Sequence, residues 1–371
     1  MSSTGTTFAV VTGGGTSGHV LAALAVADAL VASGHDRAAI HYVGATRGVE
    51  RRLLPQTEYR HTFFDVVGLQ RSLSMRNLAF LPKLVRSTWQ ARKLIRALRP
   101  NVVVNVGGYA SVPATVGALL CRVPVVVVSY DRRPGLVSRL VARRAAASAI
   151  AFAGSPLPRA ELTGAPVRQE VLAVDRLADR AHAREELGLP PDRFVVAVFG
   201  GSLGAQRLND ATAQAVERLA DRADLAVYHV VGERNLVTAA PGRDGSQGIM
   251  YRVLGYEDRM PLVYAAADLM MTRAGAATIA ELATVGMPSL IVPWPGAAEN
   301  HQVDNARELS DHRAAILIEE RDLTVDRLVG EIDDLSSAPD RLAEMSAAAS
   351  DLGQRHRGTA LVDLIERVAG R

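Results

Sequence analysis

Two doubly wound α/β domains, each a parallel sheet with helices on both faces and the pair facing one cleft, are what this sequence predicts. Three observations carry that reading. Short apolar runs of β-type residues at 8–12, 39–43, 102–106, 125–129, 194–199, 226–231, 269–272 and 289–292 alternate with helical patterns, the βαβ signature of parallel sheets. Two glycine-rich turns, Gly13-Gly14-Gly15-Thr16-Ser17-Gly18-His19 and Gly200-Gly201-Ser202-Leu203-Gly204, each follow such a run and open a helix. A chain of 371 residues is also longer than one ordinary core organises.

The first turn aims backbone N–H groups and a helix N-terminus at one point, so an anion, and in particular a diphosphate, is the expected ligand. Gly13, Gly15 and Gly18 satisfy the dinucleotide fingerprint, but that fingerprint also needs an acid at the end of the second strand. The chain has Tyr42-Val43-Gly44-Ala45-Thr46 there, which argues against a dehydrogenase. His19 sits at the start of the helix after the turn, where a helix N-terminus favours neutral imidazole, able to take a proton or donate a hydrogen bond. A histidine that only caps or packs is the plainer alternative.

Between Arg71 and Arg99 the chain carries Arg76, Lys83, Arg86, Arg92, Lys93 and Arg96 with no Asp or Glu, interleaved with Leu78, Phe80, Leu81, Leu84, Val85 and Trp89. One-sided charge among apolar residues suits an anionic membrane surface, with Phe80, Leu81, Lys83, Arg86 and Trp89 as the expected contacts. The plainer reading is a helix packed on the sheet with a basic outer face. Residues 112–128 are apolar but broken by Pro113, Arg122 and Pro124, and fall short of the roughly 20 residues a span requires. They read as a helix and a buried strand.

Pro156, Pro158, Pro166, Pro190 and Pro191 mark the change of domain. The expected division is 1–168 for an acceptor and membrane-associated domain, 169–345 for a sugar-nucleotide domain, and 346–371 for a terminal helix returning to the first. In the second domain, Thr272-Arg273-Ala274-Gly275-Ala276-Ala277-Thr278-Ile279-Ala280-Glu281 leads from a strand end into a helix. Pro293-Trp294-Pro295-Gly296 and Glu299-Asn300-His301-Gln302-Val303-Asp304-Asn305 follow the next strand. Carboxyl ends of strands are where open α/β sheets bind ligands. Taken singly, Glu281 reads equally as a solvated carboxylate and Gln302 as a surface amide.

Composition narrows the classes further. A net charge of +3 does not suit a protein that coats nucleic acid, and the single cysteine, Cys121, excludes an internal disulfide and a cysteine-built zinc site. No signal-peptide pattern is visible at the N-terminus, so a cytosolic setting is expected.

With those residues in place the chain resembles the MurG family, the lipid I N-acetylglucosaminyltransferases of bacterial cell-wall synthesis. The blocks that match in order are Gly13–His19, Val106-Gly107-Gly108-Tyr109-Ala110-Ser111, Gly164-Ala165-Pro166-Val167-Arg168, the turn from Gly200 through Asn209, Arg273 to Glu281, and Glu299 to Asn305. The resemblance implies a GT-B fold of two Rossmann-like domains and inverting transfer of N-acetylglucosamine from UDP-N-acetylglucosamine to lipid I. It implies no cofactor or metal, no nucleic acid partner, and a peripheral place on the cytoplasmic face of the cell membrane. It assigns the diphosphate to Arg168, Ser202 and Gly204, the uracil to backbone near Tyr256 and Glu257, the ribose to Glu281, and the sugar to Ala276, His301 and Gln302. On the acceptor side it assigns Gly14, Gly15, Thr16, Ser17, Gly18 and Tyr109, with His19 near the attacking hydroxyl. The family's His-Glu-Gln-Asn stretch is replaced by Ser129-Tyr130-Asp131-Arg132-Arg133-Pro134-Gly135, where Asp131 and Arg132 are expected to supply acceptor contacts. That departure leaves open a UDP-sugar transferase acting on another lipid or natural product; a non-catalytic scaffold is the further alternative.

Overall fold

Runs of Val, Ala and Ile without charge present nothing to water on either face, so they settle in the middle of parallel sheets covered by helices. The computed structural model describes residues 7–66, 80–201 and 204–370, the side chains of Phe80, Leu81 and Ala298 excepted, and it contains two such sheets. The first comprises β1 (Ala9–Thr12), β2 (Ile40–Ala45), β3 (Arg60–Phe64), β4 (Val102–Asn105), β5 (Val125–Ser129), β6 (Ala147–Ile150) and β7 (Ala160–Leu162). Its order is β3-β2-β1-β4-β5-β6-β7, parallel throughout. The second comprises β8 (Phe194–Phe199), β9 (Leu225–Val230), β10 (Arg243–Asp244), β11 (Met250–Leu254), β12 (Leu269–Thr272), β13 (Ser289–Ile291) and β14 (Ala315–Leu317), in the order β10-β11-β9-β8-β12-β13-β14. Only β10 runs antiparallel, against β11 at the edge. Strand order reverses between β1 and β4 and between β8 and β12, the switch points where crevices open in such sheets. Each glycine-rich turn leaves a strand that borders its switch point.

The helices of the first unit are α1 (Ser17–Ala32), α2 (Glu50–Leu53), α3 (Phe80–Leu98), α4 (Val112–Leu120) and α5 (Leu136–Ala142). Those that follow are α6 (Gln169–Leu172), α7 (Arg180–Leu187), α8 (Gln206–Arg218), α9 (Met260–Ala266), α10 (Ala276–Val285), α11 (His301–Ser310), α12 (Val325–Ser336), α13 (Pro339–Gly353) and α14 (Ala360–Ala369). Chain contacts group into two units, Met1–Gln169 with Arg355–Arg371, and Glu170–Gln354. Thus α13 belongs to the second unit and α14 to the first. Gly164 (φ +80) faces the Arg355 backbone, where a side chain would collide, and the Ala165 N–H donates to His356 Nδ1 at 2.9 Å. Arg367 pairs with Glu161 at 2.5 Å and His35 with Glu366 at 2.8 Å, so polar contacts as well as the apolar face of α14 hold the returning segment.

In the first core Val10, Val103, Val125 and Val127 meet Ala91, Ile95, Ala114 and Ala118. Gly117 brings α4 close to α3, since a methyl there would lie 3.0 Å from the Arg92 backbone nitrogen. In the second unit the buried Arg184 donates to the carbonyls of Ala266, Pro191 and Arg193 and to Asp268, whose Oδ2 also accepts the Val195 N–H at 2.7 Å. One guanidinium thereby fastens the starts of β8 and β12. Strands that the apolar runs do not reveal are β3, β6, β7, β10, β11 and β14, which are short, alanine-rich or mixed with polar residues and owe their pairing to neighbours already in place.

Burial pushes three histidines, His41, His229 and His356, down from 6.5 to about 4. A depressed histidine stabilises the fold fully above its unfolded value, and that contribution erodes as pH falls through the interval between the two values. The melting temperature is therefore expected to drop steadily between pH 6.5 and about 4. A melting temperature independent of pH over that interval would contradict the burial of these rings in neutral form.

Candidate functional site

At the first switch point the turn after β1 and the turn after β4 touch backbone to backbone. Gly108 (φ +77) lies against the Gly14 carbonyl so closely that any side chain would overlap that oxygen, and Gly14 N–H donates to the Gly107 carbonyl at 3.3 Å. Gly15 (φ +94) faces the Tyr109 ring, which a methyl would approach to 2.5 Å. Asn105, buried at the end of β4, holds its turn by accepting the Gly107 N–H at 2.9 Å and donating to Ser111 and Thr115. Tyr42 donates to the Gly13 carbonyl at 2.6 Å, and burial, reinforced by nearby Glu50, raises its phenol far above the usual range.

Helix α1 starts at Ser17 with no side-chain N-cap hydrogen bond and no acid in its first turn. His19, half-buried, meets Thr16 Oγ1 through Nδ1 at 2.8 Å, and Tyr130 edge-on at 6.1 Å. Its Nε2 edge faces Gly107, where a methyl would come within 3.2 Å. The structure therefore gathers Gly14, Gly15, Thr16, Ser17, Gly18, His19 and Tyr109 at one crevice. Asp131 and Arg132 follow β5, one strand further along, with buried Tyr130 between them and His19.

One feature of this crevice departs from the sequence-based picture of a turn with all its amides offered to an anion. The Gly14 N–H is taken by Gly107 and the Gly15 N–H by Glu50 Oε1 at 2.8 Å. Neither of those two amides is therefore offered to an anion. Glu50 itself was missed, although an acid was sought near the second strand: it stands beyond the end of β2, on α2, and folds under the glycine turn. Only the packing of α2 brings it there.

In the second unit Ser202 and Leu203 lie outside the described residues. Gly204 (φ +74) nestles against the Val231 carbonyl and Asn235, and α8 begins at Gln206 with neither side-chain cap nor acid in its first turn. Glu281, half-buried on α10, accepts the Tyr264 hydroxyl at 2.7 Å. Ala276 opens the same helix behind Gly275, again without a capping side chain. Gln302 Oε1 accepts the Trp294 N–H at 2.8 Å, which turns its amide N–H groups to other partners. His301 begins α11 after Glu299 and Asn300, two consecutive left-handed residues, and Asn305 fastens α11 to the Ala274 carbonyl. Such strain persists only where surroundings enforce it, and it clusters at functional sites.

Gly204, Ala276, Glu281, His301 and Gln302 thus all stand at the carboxyl ends of β8, β12 and β13 or on the helices that follow them. Tyr256 and Glu257 follow β11, at the other side of β8. Glu257 is buried and accepts from Tyr228 Oη and from the Arg259 N–H; burial pushes its carboxyl up, but those hydrogen bonds outweigh it and hold it below the usual range. Its side chain is therefore committed, and only its backbone is offered to a ligand. Arg168 belongs to the first unit, beside the crossing into the second. Arg273, which sequence reasoning quoted without a role, bonds the Val292 and Pro293 carbonyls and Glu320, tying together the ends of β12, β13 and β14. Among the described residues no group of three or more His, Cys, Asp or Glu is arranged to hold a metal ion.

Residues 9–150 match the glycosyltransferase family 28 N-terminal domain and residues 195–365 the family 28 C-terminal domain. The chain is 36% identical, over 98% of both chains, to the UDP-N-acetylglucosamine–N-acetylmuramyl-(pentapeptide) pyrophosphoryl-undecaprenol N-acetylglucosamine transferase of Desulforudis audaxviator. It is 39% identical to the enzyme of that name from Clavibacter michiganensis, over 98% of this chain and 97% of the other. The chain belongs to the MurG family. Its GT-B fold is shared with the crystal structure of Acinetobacter baumannii MurG, at TM-score 0.72 and 24% identity over 98% of this chain and 99% of that one. The calicheamicin glycosyltransferase CalG4 shares the fold at TM-score 0.63 and 14% identity, covering 98% of each chain.

The close approach of the two turns yields a stability test. Gly108→Ala adds a methyl where the Gly14 carbonyl stands, in a backbone conformation that costs a side chain about 1–3 kcal/mol even in open space. The variant is expected to melt several degrees lower, by a larger shift than Gly135→Ala, whose methyl would meet nothing within 4 Å. Equal melting temperatures for the two variants would refute the contact.

Proposed function

We propose that this protein transfers N-acetylglucosamine from UDP-N-acetylglucosamine to the muramyl 4-hydroxyl of lipid I, the undecaprenyl-diphosphate-linked MurNAc-pentapeptide, giving lipid II and UDP with inversion at the anomeric carbon. What carries the reading is identity of 36–39% along nearly the whole chain with enzymes named for this transfer. The acceptor oxygen attacks the anomeric carbon from the face opposite UDP, the bond to the β-phosphate oxygen breaks, and the hydroxyl proton passes to a base. His19 is that base in our reading: Thr16 engages Nδ1, so the proton is taken at Nε2. Such help is worth about 100- to 10,000-fold. The negative charge that grows on UDP is met by the amides of the second glycine turn, the N-terminus of α8, Ser202, Gly204 and Arg168.

Glu281 takes the ribose hydroxyls, and the Tyr264 hydroxyl supports that role by holding one carboxylate oxygen in place. Gln302, with its carbonyl already engaged, presents N–H donors to the sugar together with His301 and the Ala276 backbone. Backbone at Tyr256 and Glu257 reads the uracil. The acceptor diphosphate is held by the start of α1, with Tyr109, Asp131 and Arg132 completing its site. The altered segment from Ser129 to Gly135 favours a second reading, transfer to another lipid or natural-product acceptor.

UDP release from UDP-N-acetylglucosamine is expected only when a lipid I analogue is added. Release with a different acceptor and none with lipid I would sink the acceptor assignment and leave the donor assignment standing. Glu281→Ala is expected to weaken donor binding by about 1–3 kcal/mol in calorimetry, and unchanged affinity would refute the ribose role. His19→Ala should keep donor affinity while turnover falls at least roughly 100-fold; near-normal turnover removes His19 from the chemistry.

Helix α3 supports a peripheral place on the cytoplasmic face of the membrane. Its inner face buries Ser87, Ala91 and Ile95, whereas Val85 and Trp89 are 65% and 61% exposed beside Arg86, Gln90 and Lys93. The Lys93 ammonium lies 5.5 Å from the centre of the Trp89 ring, and Lys83 pairs with Asp65 at 2.8 Å. Among the described residues no helix is long and apolar enough to cross a membrane. The rest of the basic stretch, including Arg71, Arg76 and Leu78, lies outside the described residues. Binding to vesicles containing anionic lipid is expected to fall with added salt, and Val85→Ser with Trp89→Ser should release the protein without lowering its melting temperature. Equal binding to neutral and anionic vesicles would refute an electrostatic patch.

A further inference from the structure

We infer that Glu50 is a positioning residue for the acceptor turn and, through that turn, for His19; the inference rests on the acceptor reading above. Glu50 is fully buried, and the transfer chemistry does not use it. Its Oε1 accepts the Gly15 N–H at 2.8 Å, while its Oε2 has no hydrogen-bond partner among the described residues. Stability alone does not account for such a group, because a buried carboxylate with an unfilled acceptor site is unfavourable beside an apolar side chain of similar shape. The surroundings are nevertheless shaped to it. A side chain at Gly14 would overlap Oε1, one at Gly48 (φ +118) would overlap Oε2, and a methyl at Gly44 would stand 3.2 Å from Cγ.

What the carboxylate secures is a backbone conformation. It holds Gly15 at φ +94 against Tyr109, and the next residue, Thr16, carries the oxygen that meets His19 Nδ1 at 2.8 Å. The tie therefore sets where Thr16 and the first turn of α1 stand relative to Gly107. It also withdraws the Gly15 amide from any anion, so a diphosphate on this turn is met by amides further on, beside His19. An acid beneath a glycine-rich turn thus aligns the turn and does not bind a ribose.

The test uses the full chain and three substitutions, each checked by circular dichroism and thermal melting. Glu50→Asp keeps the carboxyl group but retreats by one methylene, and Glu50→Met keeps the bulk without the acceptor; Glu50→Gln keeps an oxygen for the Gly15 N–H. Turnover is expected to fall about 10- to 100-fold in the Asp and Met variants, the scale of an ångström-sized misplacement, with donor affinity within about twofold of wild type. The Gln variant should stay within about threefold of wild type, and in a His19→Ala background Glu50→Asp should cost less than about threefold more, because the two residues act in series. Wild-type turnover in Glu50→Asp beside an inactive His19→Ala sinks the Glu50 inference alone, as does a full additive loss in the double variant. Unfolding of Glu50→Asp would make the role purely structural and overturn the inference too. Normal turnover in His19→Ala refutes the His19 reading instead.

Discussion

The first unit of this protein depends on one constraint, the contact of two backbone turns across the β1/β4 switch point. Gly108 lies so close to the Gly14 carbonyl that it tolerates no side chain, one at Gly14 would overlap Glu50, and the contact carries Tyr109 onto Gly15 and Gly107 onto the His19 ring. Everything that surrounds it is a brace. Asn105 holds one turn from below, Tyr42 holds the carbonyl of Gly13, and Glu50 holds the amide of Gly15. The outcome is a crevice whose polar groups are mostly assigned before a ligand arrives, the preorganised condition under which hydrogen-bond donors act most strongly on developing charge.

The second unit follows the same logic of prior commitment. Glu257 is spent on Tyr228 and Arg259, so a carboxylate that follows β11 is committed within the fold. The carbonyl of Gln302 is spent on Trp294, which defines the amide as a donor. Glu281 accepts the Tyr264 hydroxyl, which orients its carboxylate. Arg273 gathers the ends of β12, β13 and β14, and so sets the spacing on which Ala276, His301 and Gln302 stand.

Helix α3 carries two demands on one element. Its inner face is small enough, at Ser87 and Ala91, for α4 to approach at Gly117, while its outer face leaves Val85 and Trp89 exposed among cations. The alternatives that its sequence poses, a packed helix or a membrane-facing one, are therefore not exclusive. Helical periodicity permits both at once, because residues on opposite faces answer to different solvents.

By itself the sequence determined the fold class, since uninterrupted valine and alanine runs alternating with helical patterns have few other ways to bury both faces of a strand. It also located both glycine turns and the His19, Glu281 and Gln302 positions, because turns and strand ends are marked by local chemistry. The short strands β3, β6, β7, β10, β11 and β14 were not legible, as their pairing comes from neighbours and not from their own residues. Only the tertiary structure decided that the acid associated with the first turn is Glu50, that the Gly14 and Gly15 amides are already occupied, and that the Glu257 side chain is taken by Tyr228 and Arg259. Those are facts about which groups meet across the chain, 29 residues apart for Tyr228 and Glu257, 35 for Gly15 and Glu50 and further still for Gly14 and Gly107, and no local pattern records them.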